Sequence, residues 1–326
     1  MNYFFETEFF TDKSYRNERE EVDHETVANN FKNYLNNNYN DEDFSKLLSC
    51  TGFIPDLYPT DSSKETLFSK LVEVLVSEWA DRMNFRSHLV KEKSGYEDIN
   101  FEVDKKIVVC DAKSFRLGRS QIAPNVKDFL KPADISKWLD RHKKRLGGMV
   151  TYPDTHDWIK SSDVYLYCTD KNCPTVILSY IHLALLLHFK SKYQTVNLKN
   201  LWNYDKLFPI RLSKKISGGN RNAYWDIINS EIISILGISQ NDFLEYFKKY
   251  KNLQTECIKK NIDKLIKSKE IIIKKIKTEC NALSIEELRE NFLEYRIENE
   301  TRKIDEFIDR IRNFRLIKPN GVETDE

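Results

Sequence analysis

The chain has 326 residues, enough to bury a sizeable core in one large domain or two smaller ones. Its 52 Lys and Arg nearly balance 51 Asp and Glu, so bulk charge points to neither a nucleic-acid nor a membrane partner, and any basic surface must be local. The opening Met1-Asn-Tyr-Phe-Phe-Glu-Thr-Glu8 is acidic where a secretory signal is basic, and the cysteines form no paired C-x-x-C motif; the expectation is a cytoplasmic protein with reduced thiols.

Residues 1–60 read as polar helices, with turn signals at Asn36 to Asp41 and at Pro55-Asp-Leu-Tyr-Pro59. Thr60-Asp-Ser-Ser-Lys-Glu65 supplies capping residues followed by a glutamate. Leu67, Leu71, Val74, Leu75 and Trp79 then recur at helical spacing and predict a helix lying on a sheet. Ile99, Phe101 and Val103 alternate with Asn100 and Glu102, and Ile107-Val-Val-Cys110 is a short apolar run, which together predict a hairpin over 98–115. Residues 116–132 read as a polar loop. Ile135 to Leu146 is expected to be a helix stopped by Gly147-Gly148, Val164 to Cys168 and Thr175 to Leu178 two strands, and the segment after Ser179 a helix. That last segment, Tyr180 to Phe189, is the most apolar of the helix-like stretches yet far too short to span a bilayer, and its His182 and His188 read as packing or capping residues. Arg211 to Arg221 is a basic, glycine-containing loop. Beyond Tyr224 the pattern is almost wholly helical, with an apolar stripe from Ile258 to Ile276 on a lysine-rich helix and a capping-box pattern at Ser284-Ile-Glu-Glu287. The expected division is 1–60, an N-terminal helical segment; 61–222, a core of strands and helices; and 223–326, a helical region serving as a dimer interface, an arm around a ligand or a cap on the core.

The hairpin carries the chemistry. With Asp104-Lys105 as a two-residue turn, Val103 faces Lys106 and Asp98 lands opposite Asp111. Directly opposed side chains on an antiparallel pair lie roughly 4.5–5.5 Å apart at Cβ, where like charges repel. Lys113 points to the same face as Asp111. A divalent cation would remove the repulsion; Mg²⁺ takes one or two carboxylates plus water and phosphate oxygens. Two acids, a lysine and such an ion are the parts that metal-assisted phosphodiester hydrolysis needs. In a chain this rich in Asp and Lys the spacing is also cheap: Asp104-Lys105-Lys106 repeats it in what reads as an exposed turn.

Cys110-Asp-Ala-Lys-Ser-Phe-Arg-Leu-Gly-Arg-Ser120, followed by Asn125-Val-Lys-Asp128-Phe, resembles the catalytic segment of the HindIII-type restriction endonucleases, members of the PD-(D/E)xK nuclease group. Lys64-Glu-Thr-Leu-Phe-Ser-Lys70 upstream, and Tyr180 to His188 and Leu201-Trp-Asn203 downstream, resemble further family segments in the same order, so the likeness covers about residues 60 to 215. The resemblance implies an α/β fold with a PD-(D/E)xK core and a large helical C-terminal region. It implies that Asp98, Asp111 and the Ala112 carbonyl hold Mg²⁺ and that Lys113 positions or activates water. The family's extra glutamate matches Glu92 best, with Glu73 and Glu78 as competitors, and Asp128 matches a second required acid. Arg116, Arg119, Asn125 and Lys127 would face DNA, Asn125 toward the bases. One departure stands out: Glu97 occupies the place of the motif's proline.

On the nuclease reading, the basic Lys214 and Lys215 are candidate phosphate contacts. The function implied is that of a type II restriction endonuclease. It would be a homodimer that cuts double-stranded DNA at a short palindromic site with Mg²⁺ and leaves 5′-phosphates, beside a cognate methyltransferase acting on the same site. Two alternatives remain: a structure-specific, repair or mobile-element nuclease on the same core, and a non-enzymatic protein whose long helices bind a partner.

Overall fold

A computed structural model describes residues 3–15, 22–90, 95–117, 131–153, 171–208, 223–281 and 286–312. Three helices open the chain, α1 (Tyr3–Ser14), α2 (His24–Asn38) and α3 (Asp41–Ser49). Asp23 caps α2 and Asn40 caps α3 by accepting backbone N–H groups that a helix start leaves unpaired. Helix α2 turns Ala28, Phe31 and Leu35 inward, a single face at helical spacing. Ser62 then caps α4 (Ser63–Arg82), whose apolar residues from Leu67 to Ala80 are buried.

The sheet has five strands in the order β1 (Arg86–Leu89), β2 (Ile99–Val103), β3 (Lys106–Ala112), β4 (Arg145–Tyr152) and β5 (Thr175–Ser179). The first three are antiparallel, whereas β3, β4 and β5 run parallel. Helix α5 (Pro132–Leu139) lies in the crossover from β3 to β4. Every residue of β5 is buried, and its centre, Val176 to Leu178, is apolar on both faces as a parallel strand covered on both sides requires. It runs directly into α6 (Tyr180–His188), buried on all sides through Leu187. The Trp79 indole N–H donates to the Leu183 carbonyl and ties α4 to α6. The segment after α6 forms a 3₁₀ helix, Thr195–Trp202, and a short α7 (Tyr204–Leu207).

Gly147-Gly148 corrects the expected helix end. The helix stops at Leu139, and both glycines lie inside β4. A Cβ on Gly147 would overlap the Trp202 ring and the Pro174 carbonyl, and one on Gly148 would overlap Ile135 of α5. The pair is there because helix and sheet close tightly upon β4, not to end a helix. The expected strand at 164–168 lies outside the described residues.

Three helices follow: α8 (Ala223–Leu236), α9 (Gln240–Cys280) and α10 (Glu286–Arg312). Helices α9 and α10 pair, with Lys269–Asp305 and Arg296–Glu279 bridging them. The apolar core is continuous from Ala28 to Tyr250. A second cluster joins Phe4, Phe53, Phe115, Tyr152, Ile258 and Ile304, and so sets the long helices against the ends of β3 and β4. Among the described residues no helix is long and apolar enough to cross a membrane.

Candidate active site

The hairpin register is the one the alternation predicts: Val103 faces Lys106 and Ile99 faces Cys110. Asp104 and Lys105 both take positive φ, 49° and 61°, the left-handed geometry of a type I′ turn without its usual glycine. Asp98 extends the ladder one step, its N–H donating to the Cys110 carbonyl (3.1 Å) and its carbonyl accepting from Val90 N–H (3.0 Å). The Asp98 carboxylate accepts the Ala112 N–H at 2.8 Å, which locks it across the end of β3. Asp111 Oδ2 lies 2.7 Å from Lys113 Nζ.

Lys113 stands where the chain leaves the sheet and is held on both sides. Its N–H donates to the Thr151 carbonyl (2.9 Å), and its carbonyl accepts the Tyr180 hydroxyl (2.8 Å). Phe115 then bridges to Phe53, with its N–H donating to Gly52 O and its carbonyl accepting from Ile54 N–H. The site thus sits at the carboxyl end of a parallel strand, where open α/β sheets present ligand crevices.

A third acid belongs to this cluster. Glu73 of α4 pairs with Lys70 Nζ at 2.6 Å, and Lys70 also donates to the Val90 carbonyl. Burial pushes the Glu73 carboxyl up to about 7 against the pull of Lys70, and the Asp111 charge adds to the rise. Burial, then the charges of Glu73 and Asp111, hold the Asp98 carboxyl well above the usual range. Burial alone would lower the Lys113 ammonium, but Asp111 and Asp98 outweigh it and leave it raised. Lys113 is therefore a cation in the free protein. A cleft of about 360 Å³ opens onto the cluster and is lined by His24, Glu65, Lys70, Glu73, Tyr96 and Asp98.

The donor set suits a hard cation. Among the described residues no three His, Cys, Asp or Glu side chains form a ready-made cage. Two oxygen-bearing side chains, Asp98 and Asp111, meet at a site whose charges raise each other's cost. That matches Mg²⁺, which keeps waters and borrows substrate phosphate oxygens, better than Zn²⁺, which takes nitrogen and sulfur ligands in a closed shell.

Other expected residues fall differently. Of the three competing glutamates, Glu73 lies in the cluster, whereas Glu78 pairs with Arg82 at 2.7 Å and accepts from Asn36. Arg116, expected to face DNA, is 5 % exposed. Its guanidinium pairs with Glu65 and donates to the carbonyls of Pro55, Tyr58 and Pro59. It is a strut between the strand end and the 55–59 turn, which corrects that expectation. Glu92, Arg119, Asn125, Lys127, Asp128, Lys214 and Lys215 lie outside the described residues. His182 does act as a cap, its Nδ1 accepting the Ser179 N–H. Glu97, the residue that departs from the motif's proline, is buried beside Asp98.

A mixed sheet flanked by helices, with acids and a lysine at the end of its central strand, defines an α/β protein. The sequence model of the HindIII restriction endonuclease family matches residues 22–297. The chain is also 26% identical over 218 residues to the type II restriction enzyme HindIII of Haemophilus influenzae, covering 65% of this chain and 68% of that one. The chain belongs to the HindIII restriction endonuclease family, and with it to the site-specific deoxyribonucleases.

Proposed function

We propose that this chain is a type II restriction endonuclease that acts as a homodimer. It cuts double-stranded DNA at a short palindromic site, requires Mg²⁺ and leaves 5′-phosphates. The observation that carries the reading is the end of the hairpin, where Asp98 lies one residue before the Ile99–Cys110 pair and its carboxylate accepts the Ala112 N–H, with Lys113 2.7 Å from Asp111. The catalytic unit is residues 61–222, a PD-(D/E)xK core, with 223–326 as a dimerising or DNA-embracing arm.

In this reading Asp98, Asp111 and the Ala112 carbonyl hold the ion, and Glu73 completes the acidic wall. The chemistry that bound Mg²⁺ supplies is a lowered pKa for water and neutralised charge on the scissile phosphate. The protein's own groups do the rest. The Ala112 N–H fixes the Asp98 carboxylate before substrate arrives. The Lys113 ammonium donates to the attacking water and to a phosphate oxygen, orienting one on the other and stabilising charge in the transition state. Thr151 and Tyr180 keep that ammonium from drifting by pinning its backbone. Two such sites related by a two-fold axis match a palindrome, one strand each.

Plasmid digestion with and without Mg²⁺, with the ends mapped, tests the whole reading. Discrete fragments bearing 5′-phosphates are expected, abolished by chelator, by Asp98→Asn and by Lys113→Ala, while both variants still shift a duplex containing the site. A smear, or cleavage only at flaps and nicks, would instead identify a structure-specific nuclease on the same core.

A further inference from the structure

We propose that Glu97 is a positioning residue for Asp98, clamped by Arg141 and His142 from the turn after α5, while Trp138 of α5 holds Gly95. This rests on the reading of Asp98 as a metal-holding residue. Glu97 is only 3 % exposed. Its Oε1 accepts from Asn100 Nδ2 (3.2 Å) and from His142 Nε2 (3.0 Å). Its Oε2 faces the Arg141 guanidinium at 3.9 Å and makes no hydrogen bond. The same guanidinium donates to the Gly95 carbonyl (2.7 Å), which also accepts the Trp138 indole N–H (3.1 Å). It then stacks 3.8 Å from the centre of the Tyr96 ring. Four consecutive residues, Gly95 to Asp98, are thus gripped in turn: by a carbonyl, a ring, a carboxylate and a strand ladder.

Placing a carboxylate out of water costs several kcal/mol unless it is paired and hydrogen-bonded. The chain accepts that cost at the residue next to Asp98, in a neighbourhood already crowded with acids. A clamp explains why. Asp98 sits immediately before the first rung of β2, where a strand frays, and the segment before it approaches over Gly95 at a φ of +80°. Fixing Glu97 from the opposite element removes the freedom that would let the Asp98 carboxylate swing off the Ala112 N–H. The clamp also joins the two sides of the site, because α5 lies in the crossover between β3, which carries Asp111, and β4. Second-layer partners of this kind hold ligands in place for the ion they serve.

The test compares Glu97→Ala, Glu97→Gln and Arg141→Leu with the parent and with Asp98→Asn. Two readouts are taken: Mn²⁺ binding to the DNA-free protein by calorimetry, and the Mg²⁺ concentration for half-maximal plasmid cleavage. Glu97→Ala is expected to weaken Mn²⁺ binding and raise the Mg²⁺ midpoint by about 10-fold or more, with kcat at saturating Mg²⁺ within about 2-fold of the parent. Glu97→Gln keeps the oxygen that Asn100 and His142 reach, and should stay within about 3-fold. Arg141→Leu attacks the clamp from its other side and should weaken Mn²⁺ binding, should Glu97→Ala not fold. Parental binding and midpoints in both Glu97→Ala and Arg141→Leu would overturn the clamp, as would equal losses in Glu97→Ala and Glu97→Gln. Parental metal binding and cleavage in Asp98→Asn would instead bring down the site reading on which the clamp stands.

Discussion

Glu73 gives the site a measurable acid–base signature. Its carboxyl is raised from 4.5 to about 7 in the folded protein, so the folded state holds a proton that the unfolded chain has released. That contribution to stability is complete below pH 4.5 and is lost as pH rises through 7; Asp98 shifts in the same direction. The metal-free protein should therefore lose stability between pH 5 and 8, and Glu73→Gln should recover on the order of 3 kcal/mol at pH 8 in chelator-containing denaturant melts. Mg²⁺ should restore the parent and not the variant's margin. Arg116 makes the opposite point. Removing it breaks the ion pair with Glu65 and takes a buried donor from the carbonyls of Pro55, Asp56, Tyr58 and Pro59, so Arg116→Met should cost about 3–5 kcal/mol in unfolding free energy. The residue's role could not be read locally, because its partners lie 51 to 61 positions away along the chain. Asp98, Asp111 and Lys113 were readable because alternation and a two-residue turn fix their facing within one hairpin.

At the scale of elements, local signals succeeded where the partner was local. The Ser62 cap and its glutamate announced α4, and the apolar run after Ser179 announced α6. Glycine misled because it answers to two different demands. Gly147-Gly148 reads as a helix stop, yet the demand comes from Trp202 and Pro174, far along the sequence and packed upon β4. Gly147→Ala has no soft neighbour to displace, since one obstacle is a backbone carbonyl and the other a ring whose N–H donates to the Gly148 carbonyl at 2.7 Å. Overpacking of this kind should cost about 3 kcal/mol in chemical denaturation. The same variant should also lose cleavage, since the strand that shifts is the one whose Thr151 carbonyl holds the Lys113 N–H. An unchanged melt would mean that β4 and the 195–202 helix do not meet this closely.

For the molecule as a whole, the question is why long helices at the end of the chain belong to this core. Helix α9 does not merely lie alongside it. Gln254, fully buried, donates from one amide nitrogen to the Ser49 carbonyl (3.1 Å) and the Pro153 carbonyl (2.8 Å). Asn261 donates to Asp56, and Cys257 meets Cys50 at 3.0 Å. These contacts reach the ends of α3 and β4 at once, directly behind the strap from Lys113 to Phe115. The apolar cluster around Phe115, Tyr152 and Ile258 fills the space between them. The periodicity of 258–276 told that a helix was there, but not that its first half would serve as a wall for the active-site strap. Gln254→Ala is the test. It deletes the shared donor and leaves two carbonyls without it, each costing about 1–3 kcal/mol when buried. The expected loss is about 3 kcal/mol of unfolding free energy, with one cooperative transition retained, because helix, strap and sheet share a packed interior. If α9 were an independent arm, the same substitution would split the melt into two transitions and leave the Mg²⁺ dependence of cleavage untouched. A single, lower transition joined to weaker cleavage would place the C-terminal helices among the parts that hold Lys113 steady.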